Sequence, residues 1–246
     1  MKIKKAFNNT PYTTGCKFLP VINEGGNYTT TFVFRDDIST DSITKLILDI
    51  EDIRQNNYSN LNLFFSSVGG EVSEMRNLAT YLNSIEDMHI RLIANDELSS
   101  AGFMIMFEID NDNIEIQIDD KCICMVHVPS FRMETRDLLK KVEECYTEQA
   151  TFMLHTNKDV DDFKELLTIA GMEQCKIDRV LSGKEVFLYG TDMKKYLINY
   201  FTHLEQLKIQ QEINYHKQEI ADLESLLTDN IEIKIEEEPK EEVING

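Results

Sequence analysis

At 246 residues, with 42% hydrophobic and 28% charged side chains, the chain is long enough to bury a large α/β core and too apolar for disorder. Its net charge of −19, from 44 acidic against 25 basic residues, repels a phosphate backbone, so nucleic acid is not an expected partner. No apolar run approaches the roughly 20 residues of a membrane helix, and no apolar signal core follows the basic start MKIKK, so a soluble, cytoplasmic protein is expected.

Residues 1–28 show no periodicity and carry Pro11, Pro20 and Gly25-Gly26, which reads as an irregular arm. From Thr29 the text changes to TTTFVF, a β-branched and aromatic strand, followed by polar RDDISTD. Ser42 to Ile53 places Ile43, Leu46, Ile47, Ile50 and Ile53 at helical spacing. LNLFF is a short apolar strand ending in SSVGG, residues 73–84 return to helical spacing through Met75, Leu78, Ala79 and Leu82, and HIRLIA is a further strand. This alternation implies right-handed crossovers and a mainly parallel sheet, whose carboxyl strand ends, here SSVGG and NDELSSAG, are where function tends to sit.

The stretch IDNDNIEIQIDDKCICMVHVP predicts two more short strands, with a turn at Asp110 to Asn113. Helical patterning resumes over residues 135–155, then again through Phe163, Leu166, Leu167 and Ala170 up to Gly171. Residues 201–228 form a helical extension in which Ile209, Ile213, Ile220, Leu223 and Leu227 fit a heptad seam with His216 at one seam position. Residues 229–246 read as an acidic, disordered tail. The five cysteines form no regular framework, so reduced thiols are expected; Cys122 and Cys124 alternate as on a strand, and without a second Cys/His pair nearby they predict buried thiols rather than zinc.

Four segments carry chemistry. Ser100-Ala101-Gly102, between a polar loop and the apolar run FMIMF, sets a hydroxyl at a helix start, where unpaired amides can receive an oxyanion. Gly69-Gly70 directly after a strand lets another backbone approach closely. His127 ends an apolar strand, and imidazole relays protons near neutral pH. Asp178 sits in KIDRVLSGKEVFLYG. Taken singly, these also fit a helix cap, a tight turn, a structural histidine and a surface charge.

In order along the chain they resemble the Clp protease proteolytic subunit family (ClpP-like). The likeness runs from about residue 29 to 200. It covers FFSSVGGEVSEMRNLATYL, the nucleophile segment Ser100-Ala101-Gly102, Met125-Val126-His127-Val128-Pro129, Leu154-His155-Thr156, and Asp178-Arg179 through Ser182 and Glu185 to Tyr189-Gly190. The resemblance implies a Clp/crotonase-like spiral of ββα units with a mainly parallel sheet over residues 29–200, to which the C-terminal helical extension is added. It implies a serine endopeptidase with Ser100 as nucleophile, His127 as base, Asp178 orienting the imidazole, and the amides of Gly70 and Ala101 as oxyanion hole.

It further implies polypeptide substrates, a homo-oligomeric ring, a separate ATP-dependent unfoldase, and no metal or organic cofactor. The chain has no phosphate-binding G-x-x-x-x-G-K-[ST] of its own. Val68 stands where the family usually has proline, NDELS replaces a small-residue run before the nucleophile, and SFRMETRDLL after Pro129 is shorter than the family's ring-joining handle. A catalytically inactive scaffold or regulatory ring subunit is the alternative expectation. A crotonase-like enzyme acting on a coenzyme A thioester is a third, against which the Ser–His–Asp set argues.

Overall fold

The computed structural model describes residues 15–16, 21–22, 28–128 and 158–236, with side chains over 28–128 and 158–226. The expected helix over 135–155, Pro129, the short handle segment and Leu154-His155-Thr156 lie outside the described residues.

The chain is mixed α/β. Short strands β1 (Gly15–Cys16) and β2 (Val21–Ile22) pair antiparallel with β3 (Tyr28–Arg35). The arm expected to be irregular thus supplies two strands to the sheet edge. Segments of two residues are too short to show a period, and only the unpaired edge of β3 selects them. Next come α1 (Thr40–Gln55), β4 (Asn60–Ser66), α2 (Val72–Asn83) and β5 (His89–Ala94). β7 (Ile114–Ile118) completes a sheet of order β1-β3-β4-β5-β7, parallel from β3 to β7.

Period-2 burial explains the core. Phe32 and Phe34 of β3, Leu61, Leu63 and Phe65 of β4, and Ile90 and Leu92 of β5 are all buried. Phe32, Leu63 and Leu92 are register partners across three strands, and Phe34 stacks on Phe65 with ring centroids 5.0 Å apart. Buried residues of α1 (Ile43, Leu46, Ile50, Ile53) and α2 (Met75, Leu78, Ala79, Leu82) keep the helical spacing read in the sequence. A Ser39–Ser42 capping box starts α1. Glu51 accepts hydrogen bonds from Arg54 on its own helix and from Tyr81 of α2 at 2.8 Å, and burial, reinforced by that carboxylate, holds the Tyr81 phenol far above its ordinary range.

A second sheet, order β6-β8-β9, is built from β6 (Glu97–Ser99), β8 (Ile123–Val126) and β9 (Val186–Tyr189). β6 runs parallel to β8, and β9 antiparallel to it. NDELS, read as a loop, contains a strand, because Leu98 inserts beside Cys124 and bridges to Ser67. The turn at residues 110–113 precedes β7, and β7 and β8 enter different sheets. The apolar segment after Ser100 is a single turn, α3 (Ala101–Met104), continued by a 3-10 turn at Ile105–Phe107. Residues 158–169 are helical (α4), and α5 spans Gln174–Leu181.

The last element, α6, spans Gly190–Glu236. It begins before the expected extension and continues into the stretch expected to be disordered. No glycine or proline interrupts residues 191–236, so nothing in the backbone stops the helix within that stretch. The chain divides into two compact units between Tyr200 and Phe201. No described helix is long and apolar enough to cross a membrane.

Thr30 is fully buried in β3, and its Oγ1 has no hydrogen-bond partner among the described residues. Thr30→Val keeps the shape and removes a desolvated hydroxyl, so urea denaturation should show a gain of about 1 kcal/mol in unfolding free energy.

Candidate active site

Residues 66–70 leave the carboxyl end of β4 and are stitched to β6. Ser67 N–H donates to Glu97 O at 2.9 Å, and Ser99 N–H donates to Ser67 O at 2.9 Å. Ser67 Oγ accepts the Gly69 amide at 3.1 Å. Gly69 and Gly70 have φ of +96° and +149°. A Cβ on Gly69 would lie 2.6 Å from both Ser100 Cβ and Ser99 O, and one on Gly70 would lie 2.1 Å from Ile38 O. Only glycine fits at either position. Gly69 is therefore the wall against which Ser100 sits, and Gly70 packs on Ile38.

Ser100 follows β6 with φ 54° and ψ −119°, a conformation that L-residues rarely adopt. Its N–H donates to Met125 O at 2.8 Å, which extends the β6–β8 pairing by one residue before the chain turns into α3. Ser99 and Ser100 divide clearly. Ser99 is 2% exposed and its hydroxyl donates to Glu97 Oε1 at 2.7 Å. Ser100 is half-buried, and its Oγ has no hydrogen-bond partner among the described residues.

His127 stands just past the end of β8. Ser99 and Met125 are register partners on adjacent parallel strands, so Ser100 and His127 leave neighbouring strand ends, where strands run about 4.8 Å apart. His127 Nδ1 lies 2.7 Å from Val128 O. A carbonyl only accepts, so the proton of a neutral imidazole belongs on Nδ1, and Nε2 keeps a lone pair.

The amides of Gly70 and Ala101 have no acceptor among the described residues. The parallel bridge of Ile38 to Gly70 uses Glu71 N–H and Gly69 O, which turns the Gly70 amide away from Ile38. Ala101 opens α3, where no intrahelical acceptor exists.

Asp178 is not brought to His127. It lies on α5, whose buried residues are Ile177 and Val180, and it is exposed at an outward position. Its Oδ1 accepts a hydrogen bond from Gln174 at 2.8 Å. The group that sequence reading missed is the Val128 carbonyl, a backbone atom that no residue type signals. Ser67 was also missed, although its place directly before Val68-Gly69-Gly70 was visible.

Cys124, on the strand that leads to His127, and Cys122, just before that strand, are both buried. Hydrogen bonding to Cys122, then burial, pushes the Cys124 thiol far above its ordinary range, which suits a packed thiol and not a nucleophile. No cluster of three metal-binding side chains occurs among the described residues. A cleft of about 280 Å³ opens at the carboxyl ends of β3, β4 and β5, lined by Val33, Phe34, Arg35, Phe64, Ser66, Asn95 and Asp96, with Arg35 ion-paired to Asp96. Ser100 and His127 do not line it.

No protein-family model matches the chain, and no curated protein matches its sequence.

The strained backbone at Ser100 has a measurable cost. Ser100→Gly removes the Cβ that makes φ 54° unfavourable, whereas Ser100→Ala retains it. In urea denaturation the glycine variant should be more stable than the alanine variant by about 1 kcal/mol.

Proposed function

We propose that the chain is a serine-type endopeptidase subunit of the Clp-protease kind, with a Clp/crotonase-like spiral over residues 29–200. The observation that carries this reading is the conformation of Ser100. A non-glycine residue at φ 54°, ψ −119°, held by Met125 O behind it and pressed on Gly69, is strain concentrated on a single unpartnered hydroxyl. Such strain persists only where surrounding structure enforces it, and it clusters at reactive groups.

In this mechanism Ser100 Oγ attacks the scissile carbonyl while His127 Nε2 accepts its proton. The oxyanion forms against the Gly70 and Ala101 amides, each worth roughly 3 kcal/mol of transition-state stabilisation. His127 then passes the proton to the leaving amine, and water attacks the acyl-serine by the reverse sequence. Val128 O supports the imidazole through Nδ1, the role that the family resemblance assigns to Asp178. Polypeptides are the proposed substrates, a homo-oligomeric ring the working state, and a separate ATP-dependent unfoldase the partner.

A second reading, an inactive scaffold or regulatory ring subunit, is favoured by one specific observation. Asp178 is exposed and hydrogen-bonded by Gln174 instead of His127.

A fluorophosphonate probe separates the two. The expected result is labelling at Ser100 that vanishes in Ser100→Ala, falls roughly a hundredfold or more in His127→Ala, and falls less than about tenfold in Asp178→Asn. Labelling that survives in Ser100→Ala would refute the nucleophile. No labelling of the folded oligomer, with an unfoldase added, would leave the scaffold reading in its place.

A further inference from the structure

Within the unit that begins at Phe201, the described chain is one helix, and its large apolar side chains face solvent: Ile209, Ile213, Ile220 and Leu223 are 50%, 43%, 56% and 60% exposed. A helix on which such residues lie uncovered is marginal in water and gains most of its stability from packing. Spacings of four, three, four and three through Ile209, Ile213, His216, Ile220 and Leu223 average 3.5 residues. That is the period of a seam which stays on one side of a left-handed supercoil. Polar pairs lie off the seam, with Gln210 donating to Asn214 at 3.0 Å and Gln218 to Asp222 at 2.7 Å.

We infer that this helix pairs with the same helix of a second copy of the chain, as a parallel, in-register, two-stranded coiled coil. Two features select that occupant. Ile213 and Ile220 take the first core position of successive heptads and Ile209, His216 and Leu223 the second, and β-branched residues at the first position with leucine at the second favour two parallel strands. His216 is the one polar seam residue in this stretch, and only the in-register arrangement sets it against another His216 instead of burying it against isoleucine or leucine. Charge does not select the direction: Glu212 precedes one core position and Lys217 follows the next, so in parallel register each Glu212 meets the other copy's Lys217.

The same register makes Glu219 and Glu224 a like-charged pair, and this supplies a test of direction. In an antiparallel pair centred between Ile220 and Leu223, Glu224 would instead meet Lys217. In the full-length protein, Glu224→Lys should tighten self-association roughly tenfold by converting two repulsions to attractions. Weakened association would overturn the parallel arrangement.

Position is tested by cross-linking full-length Leu223→Cys under a mild oxidant. A disulfide joining residue 223 of both copies, identified by mass spectrometry of the cross-linked peptide, is expected. Ser225→Cys, on the outer face, should give at least about tenfold less. Equal yields at both positions, or no link at 223, would overturn the proposal. The second outcome includes the case in which the seam docks on a different protein.

Discussion

Ser67 donates its amide to Glu97 O and accepts the amide of Ser99 across the join between two sheets, and the candidate site depends on that join. The loop of residues 66–70 leaves β4, an interior strand of the large sheet, and meets β6, an edge strand of the small one. Between them, Ser67 N–H to Glu97 O and Ser99 N–H to Ser67 O hold the loop of residues 66–70 against the strand that delivers Ser100. Backbones can come this close only where no Cβ intervenes, and at Gly69 and Gly70 a methyl group would overlap Ser100, Ser99 and Ile38. The glycines thus act through the approach they permit as much as through their own conformations.

From that contact the remaining geometry follows. With Ser99 paired to Met125 and Gly69 pressed on Ser100, the chain turns sharply into α3, and Ser100 absorbs the turn in its backbone. The hydrophobic core supports the strain from behind. Phe32, Phe34, Leu63 and Phe65, all fully buried, anchor the strands that position residues 66–70. On the neighbouring strand, buried Cys124 and Val126 fix β8, and His127 emerges where that burial ends. Ser100 and His127, far apart in sequence, leave neighbouring strand ends because β6 and β8 pair in parallel.

The carboxylate is the part of the proposed triad that does not follow from this scaffold. Asp178 rides on α5, one residue past buried Ile177 and two before buried Val180, so helical geometry turns it outward. The imidazole is held instead by Val128 O, a neutral acceptor that sets the tautomer but stabilises the imidazolium less than a buried carboxylate would. The chemistry proposed for Ser100 thus leans on backbone conformation and amides more than on a charge relay.

Local patterning by itself determined the first half of the large sheet. Alternation in TTTFVF and LNLFF, and helical spacing from Ile43 to Ile53 and from Met75 to Leu82, match β3, β4, α1 and α2 because binary pattern acts within a few residues. The residue types of the site were legible for a similar reason: Ser-Ala-Gly, Gly-Gly and a strand-end histidine are short local signals. Tertiary structure alone decided which strands pair. Glu97–Ser99 and Val186–Tyr189 become strands only because β8 lies between them, and Gly15–Cys16 only because β3 has an open edge. It also decided the φ of Ser100 and the carbonyl facing His127, since the first depends on partners dozens of residues away and the second on a backbone atom that every residue shares.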